Sequence, residues 1–381
     1  MTDPLYFAYG SNLCPDERAR WLAQHGLTEA DLRPVSAALL PDHALSFGYW
    51  SQRRAGGALD VRSSLGSVVH GALFAVSPLG WRMLDIKEGV AHPDTGYERT
   101  PVQAVLPDGK LVAAITYTVK PADRRPHCEP AAGYVETVQS GLAHWQMRPD
   151  SKAALLAAAA GQSGDCRVDY MLVYGTLMRG ELRWPAMARA GVKQVLMARS
   201  RATLHPAAED PPGEPFPAIT LDHPVHDLQG DLVESADIVR LLQEADAIET
   251  FWGHGDARNL YHRTVLPVHT GEPDAPPTLA WAYVAAPALP VGEPHDTGCW
   301  RAARGRRKAF LERLVRAHGQ AGLQATSPPV AQRPTLANAA TQRPVLSILG
   351  PDALVQALDE GSINEWDLAR ESGCWTALAV S

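Results

Sequence analysis

Leu5-Tyr6-Phe7-Ala8-Tyr9-Gly10-Ser11-Asn12-Leu13 is an apolar run that breaks at a tyrosine–glycine–hydroxyl turn. Met171-Leu172-Val173-Tyr174-Gly175-Thr176-Leu177 repeats that design, 165 residues on from Tyr9 to Tyr174. Four more segments recur in the same order. His70-Gly71-Ala72-Leu73-Phe74 answers Gln229-Gly230-Asp231-Leu232-Val233, and Asp85-Ile86-Lys87-Glu88 answers Asp246-Ala247-Ile248-Glu249. Tyr97-Glu98-Arg99-Thr100 answers Tyr261-His262-Arg263-Thr264, and Ala114-Ile115-Thr116-Tyr117 answers Ala280-Trp281-Ala282-Tyr283. Five matches in register with so long a period mean two tandem copies of one fold, since solenoid repeats are far shorter.

Each copy reads mostly as strands, at 5–9, 68–76, 101–106 and 112–119, then at 170–174, 228–233, 263–268 and 279–285. One helix precedes the third strand of each copy, at 78–87 and 235–248, with Ser235 or Asp237 as the cap of the second. An Ala-rich helix at 151–160 leads to a joint at Asp165–Val168, and a further helix is expected at 300–318. The copies therefore occupy 1–165 and 168–320, followed by a Pro/Ala-rich linker at 321–344 and a tail at 345–381. The stretches 41–66 and 205–227 carry no readable pattern and are expected to be loops.

The 381 residues suit two domains, and 45% apolar with 20% charged residues excludes a disordered or coiled-coil chain. A net charge of −7 offers no electrostatic footprint for nucleic acid. The longest apolar run, Ala153–Ala160, is far below the roughly 18 residues of a membrane helix, so no membrane partner is expected. Met1-Thr2-Asp3-Pro4 does not read as a secretion signal. The five scattered cysteines form no Cys-x-x-Cys pair, which points to a reducing cytoplasm and no disulfide framework. The fourteen histidines show no His-Glu-x-x-His spacing, so no metal is expected. A nucleophile elbow, a phosphate loop and a dinucleotide fingerprint are likewise missing.

Each copy instead offers a turn and an acid. Glycine at 10 and 175 lets the backbone approach a ligand closely, and successive N–H groups in such a turn form a nest for a carboxylate or oxyanion. A tight turn whose Ser or Thr bonds its own backbone is the plainer alternative. Glu88 and Glu249 each end a helix just before the strand that starts at Tyr97 or Tyr261. There the helix dipole opposes a carboxylate, so a solvated surface glutamate competes with a desolvated general base.

Tyr9-Gly10-Ser11-Asn12-Leu13, with Leu84-Asp85-Ile86-Lys87-Glu88-Gly89 and Gly96-Tyr97, resembles the γ-glutamylcyclotransferase family. Pro130–Gly141, with Tyr134, is similar to that family's later Tyr…Gly segment. Val173-Tyr174-Gly175-Thr176-Leu177-Met178-Arg179-Gly180 and Tyr261-His262-Arg263-Thr264-Val265-Leu266 resemble its γ-glutamylamine cyclotransferase branch. The resemblance implies an α+β fold of two mixed β-barrels with flanking helices. It also implies catalytic Glu88 and Glu249, with substrate held by Tyr9 to Leu13, Tyr97, Tyr134, Tyr174, Gly175, Thr176 and Leu177. The implied partner is a small γ-glutamyl molecule, cyclised to 5-oxoproline without cofactor or metal. Two departures fall in the second copy: Thr250 replaces the glycine after the glutamate, and Glu249 to Tyr261 is three residues longer than Glu88 to Tyr97. A regulatory binder of γ-glutamyl metabolites, or a hydrolase or acyltransferase on the same scaffold, are the competing readings.

Overall fold

The computed structural model describes residues 4–90, 96–207, 216–271, 276–305, 368–371 and 374–377. The expected linker, most of the tail and the helix beyond residue 305 lie outside them. The first copy comprises β1 (Leu5–Ala8), α1 (Pro15–Gln24), β2 (Leu32–Ser51), β3 (Gly56–Val76), α2 (Pro78–Glu88), β4 (Tyr97–Val105), β5 (Leu111–Val119), α3 (Tyr134–His144) and α4 (Pro149–Ala159). The second comprises β6 (Tyr170–Val173), α5 (Trp184–Ala188), β7 (Val192–Ala207), β8 (Phe216–Thr220), β9 (His226–Ser235), α6 (Ile238–Ile248), β10 (Tyr261–Val268) and β11 (Thr278–Ala285). In the tail, β12 (Leu368–Glu371) pairs with β13 (Cys374–Ala377). Among the described residues, no helix is long and apolar enough to cross a membrane.

Strands of the first copy close a barrel in the order β1-β3-β2-β4-β5, with β1 parallel to β5. The second copy forms a six-stranded sheet, β10-β11-β6-β9-β7-β8, in which β6 runs parallel to β11. A reciprocal bridge between Arg199 and His269, 2.9 Å in both directions, brings that sheet round as the Leu39–Val105 pairing does in the first copy. The stretch 41–66, expected as loop, is a long hairpin of β2 and β3 around a short turn, and 205–227 contributes to β7, β8 and β9. Register shifts at Pro34/Ser36, Pro41/His43 and Ser46/Tyr49 interrupt the two-residue alternation that would have marked these strands.

The glutamate-bearing helices are built alike. Ser77 accepts from the Gly80 amide at 3.0 Å to start α2, and Asp237 accepts from the Arg240 amide at 3.1 Å to start α6. At the other end, the Val90 amide reaches the Asp85 carbonyl and the Phe251 amide reaches the Asp246 carbonyl, each at 2.9 Å. This leaves Glu88 and Glu249 on the last helical turn, followed by a left-handed residue. Gly89 takes that conformation at φ 75°, whereas Thr250 holds φ 54°. A β-branched side chain is strained there.

The copies meet along a polar and apolar seam. Val68, Val105 and Ala154 of the first copy pack into the core of the second. At the joint, the Val68 amide donates to the Cys166 carbonyl (2.9 Å) and the Val168 amide to the Gly66 carbonyl (3.0 Å). The three extra residues after Glu249 belong to a loop tied by buried Asn259. Its side chain accepts from the Trp252 amide and donates to the Gly253 carbonyl, both at 2.7 Å. That loop carries His254, whose Nε2 lies 2.9 Å from Asp42 of the first copy.

Candidate active site

Each half of the duplication sets its tyrosines by the same bonds. Tyr9 donates its hydroxyl to the Tyr117 carbonyl at 2.6 Å, and Tyr174 to the Tyr283 carbonyl at 2.8 Å. Tyr97 donates to the Leu59 carbonyl at 2.5 Å, and Tyr261 to the Pro217 carbonyl at 2.8 Å. Tyr117 donates to Asp85 at 2.9 Å, and Tyr283 to Asp246 at 2.6 Å. Asp85 and Asp246, neighbours of the singled-out glutamates, are thus structural acceptors, each also paired with an arginine, Arg99 or Arg263.

In the first copy a cavity of about 590 Å³ opens over this frame. Tyr9, Gly10, Ser11, Asn12, Glu88, Tyr97 and Tyr134 all line it, while Leu13 lies beneath in the core. The turn closes on itself through the Leu13 amide to the Gly10 carbonyl (3.0 Å) and the Cys14 amide to the Ser11 carbonyl (3.1 Å). Helix α3 presses against it at Gly141, where a Cβ would overlap the backbone of Leu13 and Cys14. Asn12 is buried and anchored by three hydrogen bonds. It donates to the Tyr6 hydroxyl (2.9 Å), its carbonyl accepts from Arg18 (3.2 Å), and its side-chain oxygen accepts from Lys87.

Burial pushes the Glu88 carboxyl above the ordinary glutamate range, against the pull of Lys87, Arg53 and Arg54. Burial pulls Lys87 down to about 8, with neighbouring Glu88 acting in the opposite direction. Sequence reasoning missed the cations of this cleft. Arg54 donates to the Ser11 hydroxyl at 3.1 Å and lies 4.5 Å over the Tyr134 ring. Both Arg53 and Arg54 sit in the hairpin turn mistaken for a featureless loop. Five cations (Arg53, Arg54, Lys87, Arg124 and Arg125) face two acids (Glu88 and Asp123) around the cavity.

The second copy gathers Tyr174, Gly175, Thr176, Leu177 and Glu249 in the same arrangement, yet about 20 Å³ of space remains. Matched through the Leu59 and Pro217 carbonyls, Phe216 stands where the first copy has Ala58. The Lys87–Asn12 couple is replaced by Ile248 and Leu177, both packed into the core. Glu249 keeps a sliver of solvent contact but is surrounded by protein, and burial pushes its carboxyl up to about 7 against the smaller pull of Arg183.

Residues 6–136 and 171–302 both match the model of the family described as gamma-glutamyl cyclotransferase, AIG2-like. The chain belongs to this family. Among solved structures, one described as gamma-glutamyl cyclotransferase is 24% identical over 40% of this chain and 86% of its own, with a TM-score of 0.35. YkqA from Bacillus subtilis is 21% identical over 41% of this chain and 54% of its own, with a TM-score of 0.35. An AIG2-like protein from Mus musculus is 24% identical over 34% of this chain and 88% of its own, with a TM-score of 0.23. No curated protein matches the chain. Within the cyclotransferase family, this chain thus carries two copies of the fold, one with an open cleft and one with a filled cleft.

Proposed function

We propose that the first-copy cleft is a working γ-glutamylcyclotransferase site in which Glu88 is general base and then general acid. The supporting observation is the placing of a desolvated glutamate and the Tyr9–Asn12 turn around one cavity of about 590 Å³. A γ-glutamyl substrate carries its own nucleophile, the α-amine, five atoms in ring from its γ-carbonyl. Glu88 takes a proton from the neutral α-amine as its nitrogen bonds to the γ-carbonyl carbon, and the glutamic acid so formed passes that proton to the leaving nitrogen as the original amide C–N bond breaks. The products are 5-oxoproline and a free amine.

Folding the substrate into ring-closing geometry makes the attack intramolecular, an effect worth about 7–11 kcal/mol in favourable systems. The backbone of Gly10–Asn12 holds the α-carboxylate or the developing oxyanion, where one donor is typically worth about 3–4 kcal/mol. The surplus of cations suits a leaving amine that itself bears a carboxylate, as in a γ-glutamyl amino acid or peptide. Glu249 has no comparable space for substrate beside it, which favours the second copy as the supporting partner.

The test incubates the protein with γ-glutamyl amino acids and γ-glutamyl alkylamines and resolves products by mass spectrometry. Formation of 5-oxoproline, faster from the carboxylate-bearing donors, is expected. Free glutamate as product would establish hydrolysis instead. Binding without any product across the panel would favour the regulatory reading.

A further inference from the structure

Away from the cleft, three side chains converge where the first copy hands over to the joint. His70 projects from β3 and is 6% exposed, and Cys166 of the joint is 5% exposed. Asp150 comes from the first turn of α4. Their ligating atoms all lie within 4.8 Å of one another, with His70 Nε2 at 3.7 Å from Asp150 Oδ1. His70 Nε2 is shielded from solvent and has no hydrogen-bond partner among the described residues. The Asp150 carboxylate also lies against the Cys166 thiol. A separate cavity of about 10 Å³, mostly apolar and lined by Val68, Val69 and Leu142 along with His70, Ser151 and Cys166, lies beside the cluster and is not lined by Asp150.

The surroundings hold these groups in place. Ser64 and Ser67 donate to Asp165 Oδ1 at 2.5 and 2.9 Å, and Ser163 donates to its other oxygen at 2.6 Å, which fixes the residue before Cys166. Arg148 Nε binds Asp150 Oδ2 at 3.2 Å, so the carboxylate turns Oδ1 toward His70. That is the role of an outer partner that orients a ligating carboxylate, and Arg148 offsets part of the negative charge of a thiolate and a carboxylate.

We propose that His70, Asp150 and Cys166 bind a zinc ion that staples the joint between the two copies. One nitrogen, one sulfur and one oxygen make a set that favours zinc over calcium or magnesium, which take oxygen ligands. Bonds of about 2.0–2.3 Å to a tetrahedral ion place donor atoms roughly 3.4–3.6 Å apart, so a small inward movement completes the set. A water on the side opened by Asp150 supplies the fourth ligand. Binding requires the Cys166 thiolate, so uptake releases a proton. Positions 70, 150 and 166 share no local spacing, so no sequence motif announces them.

The full-length protein is loaded with zinc, freed of excess and analysed for metal, and its affinity is read by competition with a chromophoric chelator. One zinc ion per chain is expected, with affinity lowered more than about 10-fold in Cys166→Ser and in His70→Gln, and unchanged in Cys299→Ser. Because the variants can lose fold along with metal, the wild-type protein is also loaded with cobalt. A thiolate-to-cobalt charge-transfer band is expected, together with a zinc-dependent rise in melting temperature. The proposal is overturned by absence of retained zinc, by cobalt without the thiolate band, or by equal zinc content in folded Cys166→Ser.

Discussion

Arg263 of the second copy is ion-paired with Asp42 of the first, and its side chain is only 2% exposed. The same guanidinium holds Asp246 and lies 4.7 Å over the Phe251 ring and 5.3 Å over Trp281. Its counterpart Arg99 makes the equivalent pair with Asp85 but stacks at 4.4 Å on a different ring, Trp81 of α2, and its side chain is 35% exposed. One arrangement inherited twice thus stays at the surface in one copy and is sealed by the neighbouring copy in the other.

Removing Asp42 leaves Arg263 buried with one carboxylate in place of two. Asp42→Asn is expected to destabilise the protein by about 3 kcal/mol, the low end for a broken buried pair because Asp246 remains. Burial pushes the Asp42 carboxyl up, but the His254 hydrogen bond and the Arg263 charge outweigh it and hold it at about 2. A depressed acid stabilises the fold above its unfolded pKa near 4 and loses that effect as pH falls toward 2. Denaturant titrations of both proteins should therefore differ fully at pH 7 and converge as pH falls from about 4 to about 2.

Glu249 predicts the opposite slope. Its carboxyl titrates near 7 in the fold and near 4.3 when unfolded. Its favourable contribution is therefore complete at pH 4 and lost as pH rises through 7. Glu249→Gln should gain on the wild type between pH 5 and 8, by at most about 3 kcal/mol and less to the extent that solvent reaches the group. Melting temperatures across that range provide the check.

Thr250 occupies the left-handed position that Gly89 fills in the first copy. Thr250→Gly should stabilise the protein by about 1 kcal/mol, because relief of the positive-φ strain exceeds the added chain entropy of glycine. Chemical denaturation measures this directly.

Arg54 reaches into the cleft from the β2–β3 turn and touches Ser11. Arg54→Ala should raise KM for a carboxylate-bearing γ-glutamyl donor by about 10–100-fold, as expected for one lost charged hydrogen bond, with a smaller change in kcat. A γ-glutamyl alkylamine should be affected less.

The duplicated fold was legible because its framework bonds demand particular residues. Tyr9 and Tyr174 reach across to equivalent carbonyls, and Asp85 and Asp246 receive equivalent tyrosines, so identity persists at those positions. The helices of Glu88 and Glu249 were legible from their matching places between the second and third strands, the second also from its cap candidate Asp237. The β2–β3 hairpin was not, because bulges break its alternation and its partners are long-range, and Arg53 and Arg54 went unnoticed with it. Nor did the motif reveal that the second cleft is filled: Phe216 for Ala58 lies outside the matched segments, and Ile248 for Lys87, though inside one, reads as an ordinary change on a helix.

The most direct measurement compares 5-oxoproline formation by wild type, Glu88→Gln and Glu249→Gln under identical saturating substrate. Glu88→Gln is expected to lower kcat by about 10²–10⁴-fold, the usual weight of a general acid–base, while Glu249→Gln retains turnover near the wild-type value. Full activity in folded Glu88→Gln, or loss confined to Glu249→Gln, would contradict the assignment of catalysis to the open cleft of the first copy.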